Sequence, residues 1–288
     1  MLPANITPKC PEWTTPPPRL PLGTTRAARQ VRRLKRSTAR QNGSVRTTPD
    51  VTGRGVLRVP TLVVIGGGID GATHVRQLLR AIAAGRLSTD SIQVVDRDPS
   101  CPGSRFTDPR IRIEAAPWSE WLDEHLDLLG PADHLVPYHW APHLLVEWLS
   151  RQAARAGATV QRGGSVPPHG VPYERATVAG DTALSYATWL CPPLCIEPAL
   201  CPHTRGPKDW SLAGDLDTDL KDGSLERIVF RCLHLVYGVG TVPVATISAA
   251  RDRIVAGLRR GPKRYLVATS SHCHALATIL HVEPLPRA

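Results

Sequence analysis

Cys191, Cys195, Cys201 and His203 lie in one short segment with the spacing C-x3-C-x5-C-x-H. Closely spaced thiols beside an imidazole are soft donors, the ligand set of zinc or of an iron–sulfur cluster. Pro192, Pro193, Pro198 and Pro202 exclude a helix, so the sulfurs belong to a wrapped loop. His203 is the fourth donor within the segment. Cys232 and the trio His272-Cys273-His274 are further sources of one. Two other readings fit the same residues: redox or nucleophilic thiols, and cysteines that only pack. No C-x-x-C is present to support the redox reading.

A second centre is the run Gly66-Gly67-Gly68-Ile69-Asp70-Gly71, which follows the apolar residues Leu62–Ile65 and leads into an amphipathic stretch. Each glycine has a reason to be one. Gly66 permits a tight turn off a strand, Gly68 lets backbone approach a pyrophosphate, and Gly71 lets the next helix pack close to the strand. Phosphates then sit on the open N–H groups at the positive end of that helix. Asp96 ends the next strand-like run, Ile92–Val95, where a carboxylate accepts hydrogen bonds from ribose hydroxyls and repels a 2′-phosphate. That favours NAD over NADP, a preference which the adjacent Arg97 weakens. A glycine turn with no ligand is the plain alternative.

His272 and His274 follow the last strand-like run and are candidates for the acid/base group that accompanies hydride transfer, since imidazole titrates near neutrality. His139 and His143 are rivals. Lys208-Asp209-Trp210 reads as a solvated turn or as a group that orients an anionic substrate.

The elements that must position these residues alternate from residue 60 onward. A helix carries Ala72, Val75, Leu78, Leu79 and Ile82 on one face, and strands are expected at Ile111–Ala115, His134–Val136 and Thr159–Gln161. Helices open at Pro117 and before Leu144. Gly163, Gly164, Pro167, Pro168, Gly170 and Pro172 mark a loop over residues 163–183. A strand-like Leu184–Trp189 then feeds the cysteine segment, and residues 211–226 look loop-like. Arg227–Tyr237 is strand-rich, Ile247, Ala250, Ile254 and Leu258 line a helix, and Tyr265–Ala268 is a strand before an expected terminal helix. If these strands are parallel, Gly66–Gly71, Asp96–Asp98, Tyr138–His143, Gly238–Gly240 and Ser270–His274 converge on one rim, where open α/β sheets bind ligands.

Residues 62–98, from Leu-Val-Val-Ile-Gly-Gly-Gly-Ile-Asp-Gly to Val-Val-Asp-Arg-Asp-Pro, resemble the NAD-binding domain of TrkA-type potassium-transport regulators. They also resemble the nucleotide-binding half of precorrin-2 dehydrogenases. The resemblance implies NAD(H) held at Gly66, Gly68, Gly71 and Asp96. The expected fold is an α/β, doubly wound, mostly parallel Rossmann-like sheet, with an α/β C-terminal half carrying the cysteine-rich loop. The expected organisation is a basic disordered tail over 1–58, a dinucleotide-binding domain over 59–162, the loop or linker 163–183, and a C-terminal region over 184–288.

Charge sorts the partners. Residues 1–58 hold ten Arg and two Lys against Glu12 and Asp50, which accounts for the whole formal net charge of +10. The rest is neutral, so a nucleic-acid-binding body is not expected. The tail itself reads as a disordered extension, or as a short basic helix over 25–38 that touches RNA, anionic lipid or an import receptor. No run of 18 apolar residues predicts a membrane span, and the absence of an export signal with seven cysteines points to reduced thiols and a cytoplasmic setting. The expected function is an NAD(P)-dependent oxidoreductase acting on a small molecule, with a cysteine-ligated zinc or iron–sulfur site. The alternatives are a non-enzymatic nucleotide-sensing module and a metal- or cluster-handling factor on a Rossmann scaffold.

Overall fold

A computed structural model of the chain describes residues 55–137, 143–164, 166, 170–189, 191, 195, 197–218 and 225–286. The expectations for residues 1–54, Tyr138 and His139 lie outside the described residues.

The first sheet begins where the apolar run predicts a strand. After a short β1 (Leu57–Arg58), β2 (Thr61–Ile65) leads into helix α1 (Ile69–Ala83), and α1 crosses back through β3 (Leu87–Ser88) to β4 (Ser91–Asp96). β5 (Ile111–Ala115), α2 (Trp118–His125) and β6 (His134–Val136) follow. These strands lie in the order β5-β4-β2-β6, and all three pairings are parallel. α3 (Leu144–Arg155) then carries the chain away to β7 (Ala158–Arg162).

The second sheet is of another kind. β7, β8 (Tyr173–Ala176) and β9 (Thr182–Ser185) precede helix α4 (Leu212–Asp217) and strand β10 (Leu225–Arg231). The chain returns to the first sheet for the hairpin of β11 (Leu233–Val236) and β12 (Val239–Pro243), which adds antiparallel to β6. Helix α5 (Val244–Gly257) brings it back for β13 (Lys263–Ser270) and β14 (His274–Pro284). The second sheet runs β10-β13-β14-β9-β8, with β7 also on β14, and only β10 and β13 are parallel.

These pairings overturn the expected doubly wound, mostly parallel sheet. The protein is mixed α/β: a parallel quartet extended by an antiparallel hairpin, and a second sheet that is antiparallel except for one pair. The expected terminal helix is strand β14. Its side chains alternate between two cores, Leu280 and Val282 into one and Ala277 and Ile279 into the other, a period of two that no helix has. Residues 163–183 contain β8 and the start of β9, and residues 211–226 contain α4 and the start of β10.

The same alternation fixes the layers. Val63 and Ile65 of β2 face a core shared with α2, α3, α5 and the inner face of the second sheet, where Phe230, Tyr265 and Val267 point. Leu62 and Val64 face α1 through Val75 and Leu78. Leu266, Ala268, Ala277 and Ile279 face α4 through Leu212 and Leu216. Helices α2, α3 and α5 are therefore a layer between two sheets, with Trp121 and Trp148 filling it. No helix among the described residues is long and apolar enough to cross a membrane.

Candidate functional site

The glycine turn forms at the end of β2 as its spacing predicts. Gly66 has φ of +87°, the left-handed region that glycine tolerates. A Cβ on Gly71 would lie 1.8 Å from the Gly66 carbonyl oxygen, so α1 reaches the turn only because residue 71 has no side chain. A Cβ on Gly67 would lie 2.3 Å from the Cys101 sulfur, and the Gly103 N–H donates to the Gly67 carbonyl at 2.7 Å. The segment after β4 thus packs over the middle of the turn. Gly68 differs: a Cβ there meets nothing within 4 Å. Gly68, Ile69 and Asp70 are exposed, and α1 has no side-chain N-cap. Open space and uncapped first-turn N–H groups make the mouth of the turn receptive to an anion. Asp70 in that first turn opposes a phosphate there.

Asp96 is committed inside the turn. Its carboxylate accepts the Gly67 N–H at 2.7 Å and the Asp98 N–H at 3.0 Å. It braces the turn, a role the ribose-binding expectation did not include.

Behind the turn, between the sheets, is a cavity of about 10 Å³ bordered by Ile65, Leu122, Leu135, His143, Leu145 and Thr269. His143 is 4% exposed; its Nε2 pairs with the Thr269 hydroxyl at 2.7 Å, and its Nδ1 has no partner. Burial pushes its pKa down to about 4, against the attraction of Asp181. Asp181 is fully buried, binds Arg162 at 2.7 Å, accepts the Thr278 hydroxyl, and accepts the His143 backbone N–H at 3.2 Å. The sequence offered no pattern linking Asp181, Thr269 and His143, which come from three separate elements.

The predicted rim splits. Gly66–Gly71, Asp96–Asp98 and the segment leading to His143 follow the parallel strands β2, β4 and β6, and Gly238–Gly240 belongs to the β11–β12 hairpin beside β6. Ser270–His274 is the β13–β14 turn of the second sheet. The candidate acid/base residues His272 and His274 therefore sit on a different sheet from the glycine turn. Burial lowers the pKa of His272, with Glu197 opposing, and His274 Nδ1 pairs with the Ser185 hydroxyl at 2.9 Å.

What the β13–β14 turn does meet is the cysteine loop. Glu197, in the left-handed region at φ of +49°, accepts the His272 N–H at 2.8 Å and pairs with His234 Nε2 at 3.2 Å. The loop closes on itself through a bridge between Leu200 and Pro207, with the Cys201 N–H on Gly206 and the Arg205 N–H on the Cys201 carbonyl. Cys201 and Cys273 are buried; Cys191 and Cys195 are partly so. The Thr204 N–H on the sulfur lowers the Cys201 pKa despite burial, helped by the Thr204 hydroxyl, the His203 N–H and Lys208. The Trp210 indole N–H donates to the Cys273 sulfur at 3.4 Å. Burial pushes Cys232 up to about 12, with the Glu197 charge adding to it. His203 stacks on Trp189, ring centres 4.6 Å apart. Among the described residues, no three His, Cys, Asp or Glu side chains form a ready-made cation sphere. Sequence spacing found the three loop cysteines; the loop's seating against Cys273 is a tertiary fact.

Residues 145–283 match a family model described as an uncharacterized protein, C-terminal domain. The match spans the second sheet and the cysteine loop and begins after the glycine turn. No curated protein and no solved structure matches the chain.

Proposed function

We propose that the protein binds a pyrophosphate-containing dinucleotide, NAD(P)(H), at the mouth of the Gly66–Gly71 turn and works as an oxidoreductase on a small molecule. The observation that carries this reading is the contrast among the glycines: Gly66 holds a left-handed φ and Gly67 and Gly71 have no room for a Cβ, whereas Gly68 faces open space at a helix start with no side-chain cap. A glycine with no internal reason to be one suits a backbone that a phosphate must approach. Bound there, the nicotinamide supplies hydride chemistry. The chain's own part is to present the first-turn N–H groups of α1, to brace the turn through Asp96, and to keep water from the apolar layer behind Ile65. His143, neutral at pH 7 with an unpaired Nδ1 beside the cavity that Ile65 borders, is the side chain we assign to proton handling, in place of His272 and His274.

A nucleotide-sensing role is the second reading, and the Asp96 brace favours it. A ligand that draws on Asp96 would loosen the tie between β4 and the turn, which converts binding into a change of shape.

Calorimetric titration with NAD(H), NADP(H) and FAD tests the binding. Gly68→Val should abolish binding of the nicotinamide nucleotide while the melting temperature stays within a few degrees of the parent. Unchanged affinity in that variant, or binding of FAD alone, overturns the proposal. Nucleotide turnover with a carbonyl or imine substrate supports the enzyme; a conformational response without any turnover supports the sensor.

A further inference from the structure

We infer that the buried guanidinium of Arg227 anchors an oxyanion site, which takes the carboxylate or phosphate group of a ligand at the β10 edge of the second sheet. The inference is independent of the dinucleotide reading, because it rests on the other sheet.

Alternation along β10 sets the direction of the side chain. Leu225 and Val229 pack into the core under α4, and Ile228 and Phe230 into the layer between the sheets, so Arg227 lies on the α4 side. Only 7% of the residue is exposed. Its Nη1 donates to the Leu216 carbonyl of α4 at 2.9 Å, which orients the guanidinium. Nε and Nη2 are buried and have no hydrogen-bond partner among the described residues. These two N–H groups form the edge of an arginine that grips an oxyanion side-on. The same edge of Arg110 holds both oxygens of Asp108, at 2.7 and 2.6 Å.

A guanidinium does not lose its proton in a protein, so a buried one needs a counter-charge as well as hydrogen bonds. The Leu216 carbonyl supplies only a partial charge, and Leu216, Leu225 and Leu266, the last directly opposite Arg227 on β13, supply none. A water molecule would satisfy the two N–H groups without balancing the charge. An oxyanion meets both needs at once, because a planar carboxylate or two oxygens of a phosphate match the spacing of the fork. The position is within reach of solvent. β10 is the outer strand of its sheet, and Asp217 and Thr218, directly after Leu216, are exposed.

The test uses the full chain, titrated calorimetrically with inorganic phosphate and separately with acetate, against chloride at constant ionic strength. The expected result is saturable binding of one anion per chain, with a shift of the Arg227 Nε–H resonance in the NMR spectrum. Binding of phosphate alone assigns a phosphate-bearing ligand, binding of acetate alone a carboxylate, and either supports the inference. Arg227→Met should weaken binding about 30-fold or more, as truncation of one partner of a buried charge pair does. Without the anion the same variant should melt at or above the parent, since it removes a buried charge. Arg227→Lys keeps the charge but not the fork, and should also bind more weakly than the parent. Asp219→Asn/Asp222→Asn, between α4 and β10 in the sequence, should bind as the parent does. Four results would each overturn the inference: no binding of either anion, parent-like affinity in Arg227→Met and Arg227→Lys, binding that leaves the Arg227 Nε–H unmoved, or tighter binding in the Asp219/Asp222 variant, which would make one of those carboxylates the counter-charge.

Discussion

The Asp96 carboxylate accepts the backbone N–H of Gly67 at 2.7 Å, joining the end of β4 to the turn after β2 across 29 positions of sequence. The bond satisfies a buried donor at the tightest point of the turn, and the other carboxylate oxygen holds the Asp98 N–H. Asp96→Ala removes both acceptors. Hydrogen bonds to a charged group contribute about 1.5–3 kcal/mol, so urea unfolding should show a loss in that range. Asp96→Asn keeps one acceptor oxygen and should lose less. A change within about 0.5 kcal/mol in Asp96→Ala, the ordinary range of surface substitutions, would falsify the bracing role.

Gly71 and Gly68 should respond oppositely to the same small change. At position 71 a methyl collides with backbone, which cannot rotate away, so Gly71→Ala should cost about 3 kcal/mol, the upper end of overpacking. At position 68 the methyl enters open space, and Gly68→Ala should stay within about 0.5 kcal/mol of the parent. Thermal melts of the two variants side by side decide the matter; equal destabilisation contradicts the packing described for α1.

Acid should weaken the fold through His143. Its pKa falls from an ordinary value near 6.5 to about 4 in the folded state, so between those values the unfolded chain takes up a proton that the folded chain refuses. Stability therefore declines as pH falls from about 6.5 to about 4, by on the order of 3 kcal/mol when fully developed. Burial sets the direction, and Asp181 and Arg162 are the charges that act on the ring. His143→Gln keeps a partner for the Thr269 hydroxyl and removes the titration, so its unfolding free energy should lose most of this slope. A variant with the parent's slope would assign the effect to other groups.

The glycine turn was legible because everything that makes it is local. Strand, turn and helix follow one another within 25 residues, and apolar periodicity marks each. The second sheet was not, because its bonds are made between distant segments. The expected terminal helix is β14, and only pairing with β13 on one edge and with β7 and β9 on the other makes it a strand. Parallel order was extrapolated from the first half, yet the β11–β12 hairpin, joined by a two-residue turn at Tyr237 and Gly238, turns antiparallel onto β6. The site shows the same division. Spacing singled out Cys191, Cys195 and Cys201, but the bonds of the β13–β14 turn to this loop, Trp210 on Cys273 and His272 on Glu197, join residues more than sixty positions apart.

β14 also sets a schedule for the newborn chain. It is the common partner of β13, β7 and β9, so none of the earlier strands β7, β8 and β9 can join the sheet before residues 274–284 have left the ribosome. β7 is made roughly 110 residues sooner, a wait on the order of ten seconds at ordinary rates of synthesis. Throughout that interval the parallel quartet and α1 can already fold, while half the molecule holds open strand edges. Chaperone dependence and sensitivity to the rate of translation are the physiological signatures such a closing strand imposes.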